Sequence, residues 1–387
     1  MWNFDEIISR EKTNSVKYDL RSKLFDSEDL IPMWVADMDF KTPPFIVDAI
    51  KKRAEHEIYG YTFRNDSFYE SVIYWMNYKH NWQVKKNWIT FSPGVVPALA
   101  LSVLAFTKPG DKIITQPPVY FPFFSSVKNN GRQLVYNQLK YDNGNYHFDF
   151  EDLKKNIDSR TKMILISNPH NPVGRAWSKK ELTELAEICL ENNILMISDE
   201  IHSDLVFKPH KHMPLASISK KIANNTISTF APSKTFNVAG LSSSVIIISN
   251  QKLKATYDNF LDDLHLGNGN VFGNVALESA YFNGAEWLDS LMDYLQGNIT
   301  LVKDFINKPG IKIKMEIPQS TYLLWLDFRD YGLSKDDLQK RLVHNAKVGL
   351  SPGELFGYGG EGFQRMNIAC PRSILREALA NLEKTFS

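Results

Sequence analysis

The chain has 387 residues, which is enough for two domains or for one large α/β body with a smaller appendage. Its 43% hydrophobic, 12% aromatic and 23% charged residues are typical of a globular protein and exclude a mainly disordered chain. The 45 Lys and Arg residues are balanced by 44 Asp and Glu residues, so no basic surplus indicates a nucleic acid or an anionic membrane as partner.

Cysteine usage and the N-terminus indicate the cellular compartment. The two cysteines, Cys189 and Cys370, make no disulfide framework and suit a reducing cytoplasm. The N-terminus lacks the basic and apolar regions of a signal peptide, and no apolar run approaches the roughly 18 residues of a membrane span. We therefore expect a soluble, cytoplasmic protein without a membrane segment.

From about residue 87 to 248, short apolar β-branched runs alternate with amphipathic stretches, one of which predicts a helix over 179–192. This alternation is typical of parallel βαβ units in a doubly wound sheet. The predicted strands are 113–115, 163–166, 195–197, 227–230 and 245–248. Ligands bind at the carboxyl ends of the strands in such sheets, so the residues that follow these runs are the candidates for a site.

The pattern changes from about residue 284. A long helical stretch is followed by predicted strands at 311–315 and 321–326, then by another helix and a strand at 363–368. We expect an N-terminal segment over 1–46 that joins the small domain, a large domain over 47–283 and a small α+β domain over 284–387.

Polar side chains follow three of the predicted strands. Residues 167–174 (SNPHNPVG) are so rich in turn formers that they predict a tight, rigid loop. Asp199 ends the next strand, where a buried carboxylate is costly unless a cation pairs with it. Lys234 follows the third among small, apolar and hydroxyl residues, a setting that lowers the pKa of an amine. Each feature alone is more often structural, but together the three predict one crevice.

An acid for a ring nitrogen, an amide for a phenolic oxygen and a lysine for a Schiff base are the groups that pyridoxal phosphate requires. Residues 168–174 (NPHNPVG), 199–202 (DEIH) and 233–241 (SKTFNVAGL) resemble the signature blocks of fold-type I aminotransferase-like enzymes. Three further blocks are similar to blocks of the PatB/MalY-type carbon–sulfur β-lyases, a cystathionine β-lyase-like group. These blocks are residues 32–40 (PMWVADMDF), 92–97 (SPGVVP) and 362–372 (GFQRMNIACPR).

The resemblance runs in collinear order from about residue 20 to 380. It implies the α/β fold of fold-type I pyridoxal-phosphate enzymes, in which a large domain with a mostly parallel, doubly wound sheet carries a smaller α+β domain. It also implies α,β-elimination of L-cystathionine, of L-cysteine (cysteine desulfhydrase activity) or of related S-substituted cysteines. The products would be pyruvate, ammonia and a thiol or hydrogen sulfide.

The resemblance assigns the cofactor to particular residues. Lys234 would form the Schiff base and later remove the α-proton of the substrate, while Asp199 would hold the pyridinium proton. The other cofactor contacts that it implies are Asn171 at the phenolic oxygen, Tyr120 on the ring face, Ile201 beneath the ring, Ser233 and His202, and the backbone N–H groups of Gly94 and Val95 at the phosphate.

Substrate and subunit contacts follow from the same resemblance. Arg365 would bind the α-carboxylate in a bidentate pair, and Asn171, Tyr120 and Tyr59 would also contact the substrate. Tyr61 resembles a tyrosine that reaches the phosphate from a neighbouring subunit. We therefore expect a homodimer with shared active sites.

The chain departs from common aminotransferases at two places. Ala231 and Ser242–Ser244 stand where a hydroxyl residue and an arginine often bind the phosphate, so the phosphate site is expected to be less cationic. His202 stands where a tyrosine commonly bonds the phenolic oxygen, which leaves the contact made by His202 open.

Other functions receive weaker support. His202, His210 and His212 lie close together in sequence, but no HExxH or Cys/His ligand set appears, and we interpret residues 208–213 as a solvated turn, so no metal is predicted. Residues 357–362 are rich in glycine but follow no strand and open no helix, which argues against a nucleotide site. No DNA-binding head is recognisable. An aminotransferase, or a regulatory protein that retains the lyase fold, remains the alternative, and the preferred thiol-bearing substrate stays open.

Overall fold

The computed structural model describes residues 2–142 and 144–387. Its strands are β1 Ile31–Pro32, β2 Ile89–Ser92, β3 Lys112–Thr115, β4 Gln133–Tyr136, β5 Lys140–Asp142, β6 Asn145–His147, β7 Thr161–Ser167, β8 Leu195–Asp199, β9 Thr226–Phe230, β10 Ser244–Ile247, β11 Lys314–Met315, β12 Leu323–Asp327, β13 Val348–Gly349, β14 Ser351–Pro352 and β15 Phe363–Asn367. Its α-helices are α1 Val16–Asp19, α2 Arg21–Phe25, α3 Pro44–Ala54, α4 Asp66–His80, α5 Val95–Phe106, α6 Pro122–Lys128, α7 Phe150–Asn156, α8 Lys179–Glu191, α9 Lys220–Ala223, α10 Pro232–Thr235, α11 Gln251–Asp263, α12 Val271–Asn283, α13 Ala285–Ile306, α14 Lys335–Lys340 and α15 Arg372–Phe386.

A seven-stranded sheet with the order β2-β10-β9-β8-β7-β3-β4 forms the centre of the molecule. Strands β9, β8, β7, β3 and β4 pair in parallel, as the alternating sequence pattern predicts. The expectation of a parallel unit is wrong for β10, which is antiparallel to both β2 and β9. The connection from β9 to β10, residues 231–243, contains only the four-residue α10 and a short 3₁₀ turn, so it lacks the packed helix that a parallel crossover usually contains.

Both faces of the central sheet are covered. Along β7, Ile164 and Ile166 pack into one hydrophobic cluster, and the alternating Met163 and Leu165 pack into another. Successive side chains of a strand point to opposite faces, so two apolar sets along one strand require a layer on each side. The predicted helix over 179–192 is confirmed as α8, which begins at a capping box formed by Ser178 and Glu181.

The C-terminal part forms a four-stranded antiparallel sheet with the order β11-β12-β15-β14. The predicted strand over 311–315 is reduced to Lys314–Met315, because the partner strand β12 ends at Asp327, opposite Lys314. Near the N-terminus, Ile31 and Pro32 pair with Val348 and Gly349, so the N-terminal segment contacts the C-terminal part. The domain bounds at 46 and 283 stay a prediction.

Among the described residues, no helix combines the length and the apolar character needed to cross a membrane.

Candidate active site

The three predicted strand ends lie side by side at one edge of the central sheet. Ser167 at the end of β7 is in register with Asp199 at the end of β8, and Asp199 is in register with Thr229 of β9. Beyond the strands, the N–H of Asn168 donates to the Asp199 carbonyl at 2.9 Å, and the N–H of Glu200 donates to the Thr229 carbonyl at 2.9 Å. The three polar segments therefore converge, as the sequence predicted.

A cavity of about 190 Å³ opens at this edge. It brings together most of the residues predicted for the cofactor, namely Gly94, Val95, Tyr120, Asn171, Asp199, Ile201, His202, Ser233 and Lys234. Ala36, Ser167, Ser242 and Ser243 also line it. Their assignment to a cofactor stays a prediction that the following geometry supports.

Lys234 lies on the short helix α10, and its Nζ donates a hydrogen bond to the Ala36 carbonyl at 2.7 Å. Burial of the amine lowers the pKa of Lys234 to about 8, although the negative charges of Asp37 and Asp199 act in the opposite direction. A free amine is therefore accessible near neutral pH, which a nucleophile or a base requires.

Asp199 is a buried carboxylate with only 5% of its surface exposed. Its Oδ1 accepts the N–H of Ile201 at 3.1 Å, and no cation among the described residues forms an ion pair with it. Burial consequently raises the pKa of Asp199 to about 7. A carboxylate of this kind is suited to a cationic group that a ligand brings into the cavity, such as a protonated ring nitrogen.

The loop after β7 positions Asn171 and Tyr120. Within it, Ser167 Oγ accepts the N–H of Asn171 at 3.2 Å, and the Asn171 carbonyl accepts the N–H of Tyr120 at 3.1 Å. His170 is fully buried, and burial lowers its pKa to about 4. The neutral ring donates from Nε2 to the Pro118 carbonyl at 2.9 Å, so the loop is tied to the segment that carries Tyr120.

Arg365 on β15 reaches the same crevice from the small sheet. Its Nη1 donates to Asn171 Oδ1 at 3.1 Å and its Nη2 to the Trp34 carbonyl at 2.9 Å, and the guanidinium lies 4.8 Å from the centre of the Phe356 ring. No described carboxylate pairs with it, and burial lowers its pKa to about 10. A buried guanidinium without a counter-ion fits the predicted carboxylate receptor.

The opposite end of the cavity offers groups for an anion. Gly94 precedes α5 with φ of 152°, and a Cβ built there would lie 3.3 Å from Pro97 Cδ. None of the described side chains caps the N-terminus of α5, so its first N–H groups and its dipole are available to a phosphate. Ser243 Oγ is buried without a hydrogen-bond partner among the described residues. A serine hydroxyl and backbone N–H groups thus line this end of the cavity.

His202 is buried at the cavity, and its Nδ1 has no hydrogen-bond partner in the described part of the chain. Burial, together with the positive charges of Lys234 and Arg365, lowers the pKa of His202 to about 3. Its ring packs edge to face against Tyr322 at 6.4 Å. The imidazole is therefore neutral and retains one unused hydrogen-bonding nitrogen for a ligand.

Sequence reasoning missed the backbone groups that complete the site. The Ala36 carbonyl accepts hydrogen bonds from both Lys234 Nζ and the Tyr322 hydroxyl, the latter at 3.0 Å, and the Trp34 carbonyl accepts one from Arg365. Residues 32–40 were recognised only as a subgroup block. A carbonyl oxygen is present in every residue, so only the resemblance of this block could have drawn attention to it.

The structure does not bring Tyr59 and Tyr61 to the cavity of their own chain. The Tyr59 hydroxyl donates to the Ala54 carbonyl at 2.7 Å, and its ring contacts Phe272. The side chain of Tyr61 is 100% exposed. Their roles stay predictions that require a second chain.

The interpretation of residues 208–213 as a solvated turn is wrong for His212. Only 3% of its side chain is exposed, and its Nε2 lies 2.7 Å from Glu200 Oε2. The reason is that the Glu200 carboxylate, with which the imidazole pairs, is itself buried. Over residues 2–142 and 144–387, no cluster of three or more His, Cys, Asp or Glu side chains could hold a metal ion.

Comparisons with known proteins agree with this geometry. The model of a family described as aminotransferase class I and II matches residues 28–382. The cystathionine β-lyase PatB of Bacillus subtilis is 45% identical over 386 residues, which cover 100% of both chains.

Two solved structures are also similar to the chain. Cystalysin from Treponema denticola, which contains pyridoxal 5'-phosphate, is 36% identical with a TM-score of 0.96 and coverage of 100% of this chain and 98% of that one. The pyridoxal-phosphate-bound C–S lyase of Staphylococcus hominis is 35% identical with a TM-score of 0.92 and the same coverage. These findings confirm the predicted fold and the expectation that its relatives are pyridoxal-phosphate-dependent carbon–sulfur lyases.

Proposed function

The chain belongs to the aminotransferase class I and II family, and we propose that it is a pyridoxal-phosphate-dependent carbon–sulfur β-lyase. The reaction would be α,β-elimination of L-cystathionine, L-cysteine or related S-substituted cysteines. The Cβ–S bond breaks, the thiolate leaves with the electron pair, and one water is consumed to yield pyruvate, ammonia and the thiol. The observation that carries the proposal is a buried amine, Lys234, that shares one cavity with Asp199, a carboxylate that no described cation pairs with.

Lys234 and Asp199 have distinct tasks in this reaction. When bound, pyridoxal phosphate supplies an aldehyde carbon for an amine and a protonated ring that withdraws electrons from the substrate α-carbon. Lys234 Nζ would be the covalent attachment point, and its free amine would take the α-proton of the substrate. A pKa of about 8 allows it both to accept and to release a proton near neutral pH. Asp199 would hold the proton on the ring nitrogen.

Arg365 and Asn171 would orient the substrate together. The guanidinium already contacts Asn171 Oδ1, which leaves Asn171 Nδ2 free to donate to the phenolic oxygen of the cofactor. An incoming α-carboxylate can take the place of these neutral acceptors, because a charge-assisted bond to a guanidinium is stronger than one to an amide. The burial of Arg365 strengthens the contact by excluding water.

The attachment point is tested by borohydride reduction of the purified protein and peptide mapping. We expect a pyridoxyl group on Lys234 in the wild-type protein and none in Lys234→Ala. Lys221→Ala, which removes an exposed lysine of α9, is the control and should be labelled as the wild type is. A label on a different lysine, or no label, would contradict the proposal.

The type of reaction is tested by product analysis. Pyruvate and thiol or sulfide release from cystathionine, cysteine and S-alkyl cysteines is measured beside amino-group transfer to 2-oxo acids. The family description makes an aminotransferase the second candidate, because both reactions begin with removal of the same α-proton. Elimination that exceeds transfer by at least about tenfold in kcat/KM supports the lyase, and the reverse ratio supports the aminotransferase. A protein inactive in both assays would favour the regulatory alternative.

We infer that the protein acts as a homodimer with shared sites, because the segment 56–64 exposes a set of large apolar side chains. The exposed fractions are 67% for Ile58, 100% for Tyr61 and 80% for Phe63. Contiguous apolar surface of this kind is typical of an interface. A second copy of the chain would cover it and would bring the Tyr61 hydroxyl to the phosphate end of the partner's cavity. The two free, buried cysteines support a reducing, cytoplasmic location.

A mixed dimer tests the contribution of Tyr61 across the interface. A Lys234→Ala chain is combined with a Tyr61→Phe chain, and the heterodimer is isolated. If Tyr61 acts on the partner's site, one site carries both changes and the other carries neither, so about half of the wild-type activity should return. If Tyr61 acts within its own chain, neither site is intact, and the activity per site that retains Lys234 stays at the level of the Tyr61→Phe protein. Tyr141→Phe, which changes an exposed tyrosine outside this segment, replaces Tyr61→Phe in the control dimer. A monomer by sedimentation would refute the homodimer.

A further inference from the structure

The loop that follows Asp199 and carries His202 has a second, buried side. Glu200 and Asp204 lie in the same loop, but each pairs with a histidine outside the cavity. His212 Nε2 is 2.7 Å from Glu200 Oε2, and His80 Nε2 is 2.9 Å from Asp204 Oδ1. The two imidazole rings pack edge to face at 5.3 Å. We call His80, Glu200, Asp204 and His212 the backing cluster.

Asp204 is the member of the backing cluster with the most partners. Its Oδ1 accepts hydrogen bonds from Trp75 Nε1 at 3.1 Å and from His80 Nε2 at 2.9 Å, and its Oδ2 accepts one from Thr235 Oγ1 at 2.8 Å. Burial by itself would raise the pKa of Asp204, but the hydrogen bond and the charge of His80, the charge of Lys79 and the hydrogen bond from Thr235 hold that pKa below its ordinary value. The carboxylate is therefore an ionised anchor at neutral pH.

Thr235 connects this anchor directly to Lys234. It is the next residue in the chain and the last residue of α10, which is only four residues long. A helix of this length has no stability of its own, so its position depends on tertiary contacts. Asp204 belongs to the loop that also supplies Asp199 and His202. One hydrogen bond thus joins, from behind, the two chain segments whose side chains meet in the cavity.

Trp75 and His80 make the anchor rigid. Both lie on α4, a fifteen-residue helix, and both are buried. Their N–H groups leave the Asp204 carboxylate little freedom to rotate, because a charged acceptor holds its donors in short, directional bonds. The Thr235 hydroxyl therefore meets an acceptor in a fixed place.

We propose that Asp204 and Thr235 are positioning residues that set the place of the Lys234 amine for proton transfer, with Trp75 and His80 orienting the carboxylate. This inference rests on the proposed function. Loss of the Thr235 hydroxyl frees the α10 turn, so Nζ moves away from the reacting carbon and becomes more hydrated. A displacement on the order of 1 Å can lower a rate about a hundredfold.

The test compares Thr235→Val with Thr235→Ser and with a matched control. Thr226→Val also removes a buried threonine hydroxyl that makes one hydrogen bond, to the Ile222 carbonyl at 2.8 Å, but it has no contact with the backing cluster. Two quantities are measured on the holoenzymes. They are the pH midpoint of the visible absorbance of the lysine-bound cofactor, and the separate values of kcat and KM.

We expect Thr235→Val to raise the absorbance midpoint by about half a pH unit or more, because a more hydrated nitrogen holds its proton more tightly. Its kcat should fall about tenfold to a hundredfold, and its KM should change less than about threefold. Thr235→Ser should restore both quantities, and Thr226→Val should match the wild type. If Thr235→Val does not yield folded protein, Thr235→Ala carries the same expectation without added bulk.

Three results would overturn the inference. They are a wild-type midpoint and kcat in Thr235→Val, equal changes in Thr235→Val and Thr226→Val, and failure of the serine variant to restore the midpoint. Wild-type protein without cofactor on Lys234 would instead refute the proposed function, and this inference with it. The two failures are therefore distinguishable in one set of measurements.

Discussion

Replacement of Asp199 by asparagine should stabilise the cofactor-free protein while it impairs the reaction. The carboxylate is buried, it accepts one backbone N–H, and burial raises its pKa from 3.8 to about 7. A group whose charged form is disfavoured in the folded state destabilises the fold once it ionises. The penalty is absent below pH 3.8, grows as the pH rises toward 7, and is fully present above that value.

The magnitude follows from the shift of about three pKa units, which corresponds to about 4 kcal/mol at pH 8 and to about 2 kcal/mol at pH 5. The amide that replaces the carboxylate still costs about 1–3 kcal/mol to bury without a full set of hydrogen bonds. The net gain for Asp199→Asn is therefore about 1–3 kcal/mol at pH 8, or a rise of roughly 1–4 °C in Tm for a chain of this length. At pH 5 the gain should be close to zero. Turnover of the loaded enzyme should fall by about a hundredfold to ten-thousandfold.

The assay is calorimetry of the cofactor-free wild-type and Asp199→Asn proteins at pH 8 and pH 5. Asp204→Asn is the control with the opposite sign, because the pKa of Asp204 is lowered and its ionised form stabilises the fold above pH 3.8. That variant should lose about 2–4 kcal/mol at both pH values, since three bonds to a charged acceptor are weakened. An Asp199→Asn protein that is less stable than the wild type at pH 8, or that gains equally at pH 5, would refute the reasoning about the buried charge.

Three further predictions concern the cavity. Arg365→Lys should lower kcat/KM about a hundredfold for amino acids with a free α-carboxylate and much less for their amides. Steady-state kinetics measures both values, and an equal loss on both substrates would indicate a structural role. Lys234→Ala should release no pyruvate, but it should retain noncovalently bound cofactor after gel filtration, as the absorbance of the cofactor would report. Wild-type turnover in this variant would exclude Lys234 as the base. Tyr61→Phe should weaken the equilibrium affinity for the cofactor about tenfold to a hundredfold, the effect of one hydrogen bond to a charged group. An unchanged affinity would remove Tyr61 from the phosphate site.

Local sequence was sufficient for five of the seven strands of the central sheet, but not for β2 and β4, and it was sufficient for the residues at the edge of the sheet. Strands buried on both faces read as short β-branched runs, and a capping box marks the start of α8, so these elements could be predicted from a few neighbouring residues. Asp199 ends β8, and Asn171 and Lys234 each lie four residues after the last residue of β7 and β9. Because parallel strands align their carboxyl ends, the sequence order alone brought the three side chains to one crevice.

The direction of β10 and the length of β11 depended on partners that local sequence does not reveal. Ser244–Ile247 has the composition of its neighbours but returns antiparallel, because the segment before it holds no helix long enough to pack on the sheet as a crossover. Residues 311–313 lack a partner because β12 ends opposite Lys314. The burial of His212 was missed for a similar reason, since Glu200 is twelve residues away and lies on the hidden side of its loop.

The residues of the candidate site could be predicted from the resemblance of the motifs, but their contacts and charges depend on the tertiary structure. Arg365 meets Asn171 across 194 residues of chain, and Lys234 meets the Ala36 carbonyl across 198. Pairings at such separations, and pairings with backbone atoms that every residue carries, leave no periodic signal in a sequence. The opposite pKa shifts of Asp199 and Asp204, two aspartates five positions apart, arise because one lacks a charged partner while the other accepts three side-chain hydrogen bonds. Burial and partner geometry, which exist only in the folded chain, set that difference.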